Sequence, residues 1–207
     1  MLFAWKKKTL NEIENAFSVW QNVCNLKFEK VFDGSQVMNI AFLTDDEKQN
    51  AEINCPCKLN NKISGTLAHG FYPGNSTLSC DLHFDKERWS DQKTVSGDGK
   101  FNLFSVAVHE IGHCIGLFHN TEDEDSIMRS IYKPGFSVEN KNNILSDSDI
   151  KTVKEMYGTA NHVIVTAIFS SNKAKVMIRK IEKDTKTKRV KILHFQTKTL
   201  QRRFRYF

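Results

Sequence analysis

The 207 residues carry 30 Lys and Arg against 24 Asp and Glu, but the net +6 is divided unevenly. Residues 159–207 hold 8 Lys and 5 Arg against 2 acidic residues, so +11 sits there and −5 on residues 1–158. All of the basic excess therefore comes from the tail, where a solvated strand face accounts for it as readily as a nucleic-acid surface, and no nucleic-acid partner is expected.

The opening Met1-Leu2-Phe3-Ala4-Trp5-Lys6-Lys7-Lys8 has no apolar run of signal-peptide length, and no stretch of about 20 apolar residues follows to cross a bilayer. Leu10, Ile13, Phe17 and Trp20, at spacings of three and four, predict a helix over Leu10 to Val23 with one buried face. Val37 to Phe42 is short and apolar, a buried strand. Ser146 with Asp149 forms a capping-box pattern ahead of Ile150, Val153 and Met156, so a helix starts there. In the tail, Val163, Val165, Ala167 and Phe169 alternate with more polar residues. Lys175–Ile181 and Arg189–Leu193 form two further runs, giving up to three strands with charged outer faces. Interleaved strands and helices predict an α/β fold, a twisted and mostly parallel sheet with three helices. Residues 1–158 suit one domain with a single core, leaving 159–207 as a basic tail of unassigned role.

The most specific signal is His109-Glu110-Ile111-Gly112-His113-Cys114-Ile115-Gly116-Leu117-Phe118-His119, an H-E-x-x-H-x-x-G-x-x-H pattern. At about 100° per residue, His109 and His113 lie one turn apart on one helix face, so both imidazoles reach one ion. Glu110 is rotated beside the metal, where a carboxylate can take a proton from bound water. Gly116 permits a chain reversal that returns His119 as third ligand. Three protein ligands leave a fourth position open, the mark of a catalytic zinc. Cys24 and Cys114 read as small core residues.

From about residue 9 to 158 the sequence resembles the catalytic domain of the matrixins, within the metzincin zinc peptidases. Phe101–Val108 leads into the zinc helix as it does there, and Asn15–Trp20 resembles the first helix. Gly65–Phe71 is similar to the strand bordering the cleft, Ser126-Ile127-Met128 to the Met-turn beneath the zinc, and Leu145–Gly158 to the closing helix. The resemblance implies a secreted zymogen, yet the chain shows no prodomain cysteine and little room for a strand ahead of the first helix. The expectation is an incomplete gene product, the alternative a sheet completed by something else. No hemopexin-like repeat is recognisable in the tail.

The resemblance also implies further metals. His69 and His83 match two ligands of a structural zinc whose remaining His and Asp are replaced, after a one-residue deletion, by Cys55 and Cys57. Three readings stay open: a second zinc on both cysteines, a disulfide from Cys80 to one of them, or an empty site. Asp81, Asp85 and Glu87 fall near the family's calcium carboxylates, with acidic residues on a solvated loop as the plain alternative.

The implied activity is zinc-dependent endopeptidase cleavage of proteins, extracellular-matrix or secreted ones, with Glu110 assisting attack by zinc-bound water. The alternatives are another metzincin peptidase, since Asn120 departs from the residue usual after the third histidine, or an inactive binding protein that retains zinc. Ser105 and Tyr132 fall at the pocket for the side chain after the cleaved bond. Small Ser105 predicts a deep pocket preferring long apolar residues; the competing reading is that Arg129 or Lys133-Pro134-Gly135 fills it and favours small or acidic ones.

Overall fold

The computed structural model describes residues 2–30, 38–43, 66–74, 78–86, 88–90, 101–132, 134–135, 143–158, 163–169, 174–183 and 190–193. Helix α1 spans Leu2–Val23, beginning eight residues before the apolar spacing does. Neither Gly nor Pro interrupts this stretch, and its Leu, Ala and Lys are good helix formers. Its buried face is centred on Thr9, Ala16 and Trp20, with Ile13 and Phe17 beside them. Leu10, expected on that face, is 40 % exposed, because one residue beyond Thr9 places it about 100° round the helix.

Seven strands form one sheet: β1 (Leu26–Lys30), β2 (Asn39–Leu43), β3 (Ala68–Gly70), β4 (Leu82–Asp85), β7 (Val163–Phe169), β8 (Ala174–Lys183) and β9 (Val190–Leu193). The order is β1-β7-β8-β2-β4-β3, with β9 also on β8. A separate parallel pair, β5 (Trp89–Ser90) with β6 (Phe101–Asn102), leads into the next helix. The sheet is mixed: β1–β7 and β2–β4 are parallel, whereas β3–β4, β2–β8, β7–β8 and β8–β9 are antiparallel. Four residues separate β7 from β8 and six separate β8 from β9, and connections this short enforce antiparallel pairing. Residues 163–183 therefore lie inside the sheet, and the link from β1 to β2 runs through β7 and β8.

Helix α2 (Leu103–Cys114) is buried at every position except His109, which is half-buried, as suits a helix wedged between α1 and the sheet. Asn102 caps it, its side chain accepting from the Ser105 amide at 3.0 Å. Trp20 of α1 donates its indole N–H to the Val108 carbonyl at 2.9 Å, pinning the two helices together within a core that includes Phe17, Phe84, Phe104 and Ile111. Helix α3 (Asp147–Tyr157) starts at Ser146 with the reciprocal capping box that Ser146 and Asp149 predict.

Candidate active site

The first two imidazoles stand on the last turns of α2. The helix then ends as a Schellman motif: Gly116 N–H donates to the His113 carbonyl at 2.8 Å and Leu117 N–H to the Gly112 carbonyl at 2.9 Å, with Gly116 at φ +96°. That reversal brings His119 back, and its Nε2 lies 3.2 Å from Nε2 of His113. One nitrogen from each of His109, His113 and His119 lies within 4.8 Å of the others. No other such group of three or more His, Cys, Asp or Glu occurs among the described residues. The Nδ1–H of His109 donates to the Ile127 carbonyl at 2.7 Å, and that of His113 to the Leu117 carbonyl at 2.8 Å. Both rings are thereby held in the tautomer that turns a bare Nε2 toward the shared point. Three neutral imidazoles with a position left open fit a catalytic zinc.

Glu110 lies next to this point, buried, and its carboxyl is pushed up to about 8 by that burial, against the Gly70 backbone hydrogen bond that lowers it. The contact is close: a Cβ on Gly70 would stand 2.4 Å from the Glu110 carbonyl oxygen and 3.1 Å from Oε2. Met128 lies directly under the zinc-motif helix, where a Cβ on Gly112 would meet its sulfur at 2.4 Å. Its turn is tied to α3 through one carboxylate. Asp149 accepts from Ser126 Oγ at 2.5 Å, from the Ile127 amide at 2.9 Å and from the Ser146 amide at 3.1 Å. The backbone of Ile127 therefore connects Asp149 to His109. Asn120, after the third histidine, folds the following loop: Oδ1 accepts from the Glu122 and Asp123 amides, and Nδ2 donates to Ser148 Oγ at 3.0 Å.

Burial lowers His109 to about 4 and His113 to about 3, with neighbouring imidazoles adding to it, so both are neutral at ordinary pH. Burial likewise lowers His83 to about 4. In the metal-free protein this fixes the sign of a pH effect. At pH 4.5 the unfolded chain, with ordinary histidines, carries protons on all three that the folded chain largely lacks, and at pH 6.5 on about half of them; Glu110 opposes with one. The unfolded state binds more protons, so stability falls as pH falls. Thermal unfolding of the metal-free protein is expected to shift to lower temperature as pH is lowered from 6.5 to 4.5; a constant midpoint would contradict the buried, neutral imidazoles.

The remaining sequence candidates are placed as follows. His69 and His83 stand directly opposite each other on β3 and β4, with the Phe71 ring 4.5 Å from the first and 5.3 Å from the second. Cys55, Cys57 and Glu87 lie outside the described residues. Cys80 is a free, buried thiol at φ +62°, and burial raises it to about 11. Cys114 is fully buried, whereas Cys24 is only half-buried and bonds the Trp20 carbonyl. Asp81 precedes β4 and Asp85 ends it, both buried, and neither belongs to a group of three metal-ligating side chains among the described residues. Ser105 and Tyr132 both line the cavity of about 550 Å³ that also holds His109, Glu110 and Arg129. The Ser105 hydroxyl donates to the Asn102 carbonyl at 3.2 Å, and Tyr132 OH accepts from the Asn102 amide at 3.3 Å.

Two features went unread in the sequence. Asp149 announces itself only as a cap, since a capping box is local while its bonds to Ser126 and Ile127 span more than 20 positions. Tyr72 and Phe118 form an exposed aromatic pair, centroids 4.9 Å apart, with Tyr72 edge-on to His113 at 5.1 Å. Their one sequence signal is Phe118 beside His119.

Comparison with known proteins extends the likeness beyond the motif. The Peptidase M10 family model, described as Matrixin, matches residues 4–158. Interstitial collagenase of Bos taurus is 35 % identical over 150 residues, covering 72 % of this chain and 28 % of the relative. Matrix metalloproteinase-18 of Xenopus laevis is 32 % identical over 153 residues, 73 % of this chain and 29 % of the relative. Stromelysin-1 of Rattus norvegicus is 33 % identical over 147 residues, 70 % and 28 % respectively. The matched part of the chain thus spans less than a third of the length of these curated relatives.

Proposed function

The chain belongs to the matrixin family, and on that premise we propose that it is a zinc-dependent endopeptidase cleaving peptide bonds of extracellular-matrix or secreted proteins. The observation that carries the reading is the convergence of His109, His113 and His119 within 4.8 Å, with the buried Glu110 beside them. The substrate class and an extracellular location are supported by relatives named collagenase, stromelysin and matrix metalloproteinase. No helix among the described residues is long and apolar enough to cross a membrane.

His109, His113 and His119 would hold the zinc through their Nε2 atoms. Zinc held there supplies a Lewis acid that acidifies water and polarises the scissile carbonyl. A zinc ion held beside it would favour the ionised form that burial alone disfavours, so that Glu110 would accept the proton of the attacking water on its carboxylate and deliver it to the leaving amine nitrogen. Among the described strands β3 ends the sheet, and it lines the cavity, so an extended peptide can pair along it as an added strand. His69 and His83 are proposed as half of a second zinc site, completed by Cys55 and Cys57. The test uses the full chain loaded with zinc and a generic quenched peptide. Hydrolysis should stop on addition of a chelator and return with zinc; turnover indifferent to chelation, or none in the zinc-loaded protein, would overturn the reading.

A further inference from the structure

The cavity beside the imidazoles contains one charged side chain that the hydrolytic chemistry leaves unused. Arg129 follows Met128 and lines the same space as Ser105, Ile127 and Tyr132. It is half-buried. Its backbone amide donates to the Ser126 carbonyl at 3.4 Å, and its guanidinium has no hydrogen-bond or ion-pair partner among the described residues. The one carboxylate among the lining residues is Glu110, which lies at the metal end. The Ser105 hydroxyl is turned back onto its own helix start and does not compete for a ligand.

A guanidinium presents a planar fork of donors that matches a carboxylate, and partial burial weakens the water that would otherwise satisfy it. Val106 and Ile127 supply apolar wall for the methylenes leading to such a group. Because His109 and Glu110 line this same cavity, a side chain entering it belongs to a residue adjoining the cleaved bond.

We propose that Arg129 makes this cavity a recognition site for an acidic substrate side chain next to the scissile bond, glutamate above all. The inference rests on the peptidase reading and deepens it. It keeps the length that small Ser105 predicts for the pocket but replaces the apolar tip with an anionic one.

The test compares quenched peptides carrying Glu, Gln, Leu or Lys at each position flanking the cleaved bond, with the zinc-loaded full chain. At one position Glu should exceed its neutral isostere Gln by about tenfold in kcat/KM, because hydrogen bonds to a charged acceptor outweigh those to a neutral one. Arg129→Lys should keep Glu ahead of Gln, whereas Arg129→Glu should place Lys ahead of Glu. Equal cleavage of Glu and Gln peptides by the unaltered protein, or a Glu preference that survives Arg129→Glu, overturns the proposal while leaving the peptidase reading intact. Failure to cut any peptide in the set overturns the peptidase reading and this proposal with it.

Discussion

Glu110→Gln in the zinc-loaded protein is expected to lower kcat by about 10²–10⁴, the usual worth of a positioned general base, with zinc content unchanged. Glu110 is one residue, and so about 100°, round α2 from His109. The buried carboxyl accepts the Gly70 backbone hydrogen bond, which ties it to the sheet edge along which substrate would lie. Gln keeps an acceptor oxygen for that bond and nearly the same volume, so the fold and the three histidines should be undisturbed. What it cannot do is take up a proton. Metal analysis and steady-state kinetics on the same preparation separate the two effects. Near-normal turnover with zinc content unchanged would remove Glu110 from the proton transfer; loss of zinc would mean its role is structural.

What the sequence discloses and what it withholds divide along the range of the interaction. The zinc motif is local: His109 and His113 need only the helical repeat, and His119 needs only the reversal at Gly116, so eleven positions specify the site. The cap of α3 is local in the same way, and Ser146 and Asp149 are found where their spacing puts them. Strand neighbours are a different matter. Nothing near Leu26 indicates that it pairs with Val163, more than 130 positions on, and runs of alternating residues state that strands exist without naming their partners. The pairings of β1 with β7 and of β2 with β8 are consequently visible only in the structure, whereas the short links between β7, β8 and β9 already require antiparallel pairing. Leu10 shows the limit of periodicity itself: the spacing from Ile13 is correct, yet the face that meets the core is centred elsewhere. His69 and His83 are joined in the sequence only through the matrixin resemblance; the structure places them opposite each other on β3 and β4, and spacing alone gives no reason to pair them.

Asp149→Ala is expected to destabilise the protein by about 3–5 kcal/mol, a large share of the 5–15 kcal/mol typical of a folded domain. The carboxylate is buried and accepts from three donors on two segments, Ser126 Oγ and the amides of Ile127 and Ser146. Hydrogen bonds to a charged acceptor are worth about 1.5–3 kcal/mol each but are not additive, and truncation leaves all three donors without this acceptor in a site too closed to rehydrate freely. A pure capping role predicts far less. Ser146→Ala, which removes the Oγ acceptor of the Asp149 amide, should cost about 1 kcal/mol. The difference between the two variants, read from denaturant unfolding, therefore measures how much Asp149 contributes by anchoring the turn under α2. That anchoring reaches the metal site through a short covalent path: the Ile127 residue whose amide donates to Asp149 also offers the carbonyl that holds Nδ1 of His109 at 2.7 Å. Asp149→Ala should accordingly weaken zinc retention as well as stability, since loss of a group that orients a ligand from behind typically costs about 10–100-fold in metal affinity. If Asp149→Ala and Ser146→Ala prove equal in stability and both retain zinc with unaltered affinity, Asp149 is only a helix cap, and the turn bearing Met128 must be held in place by packing alone.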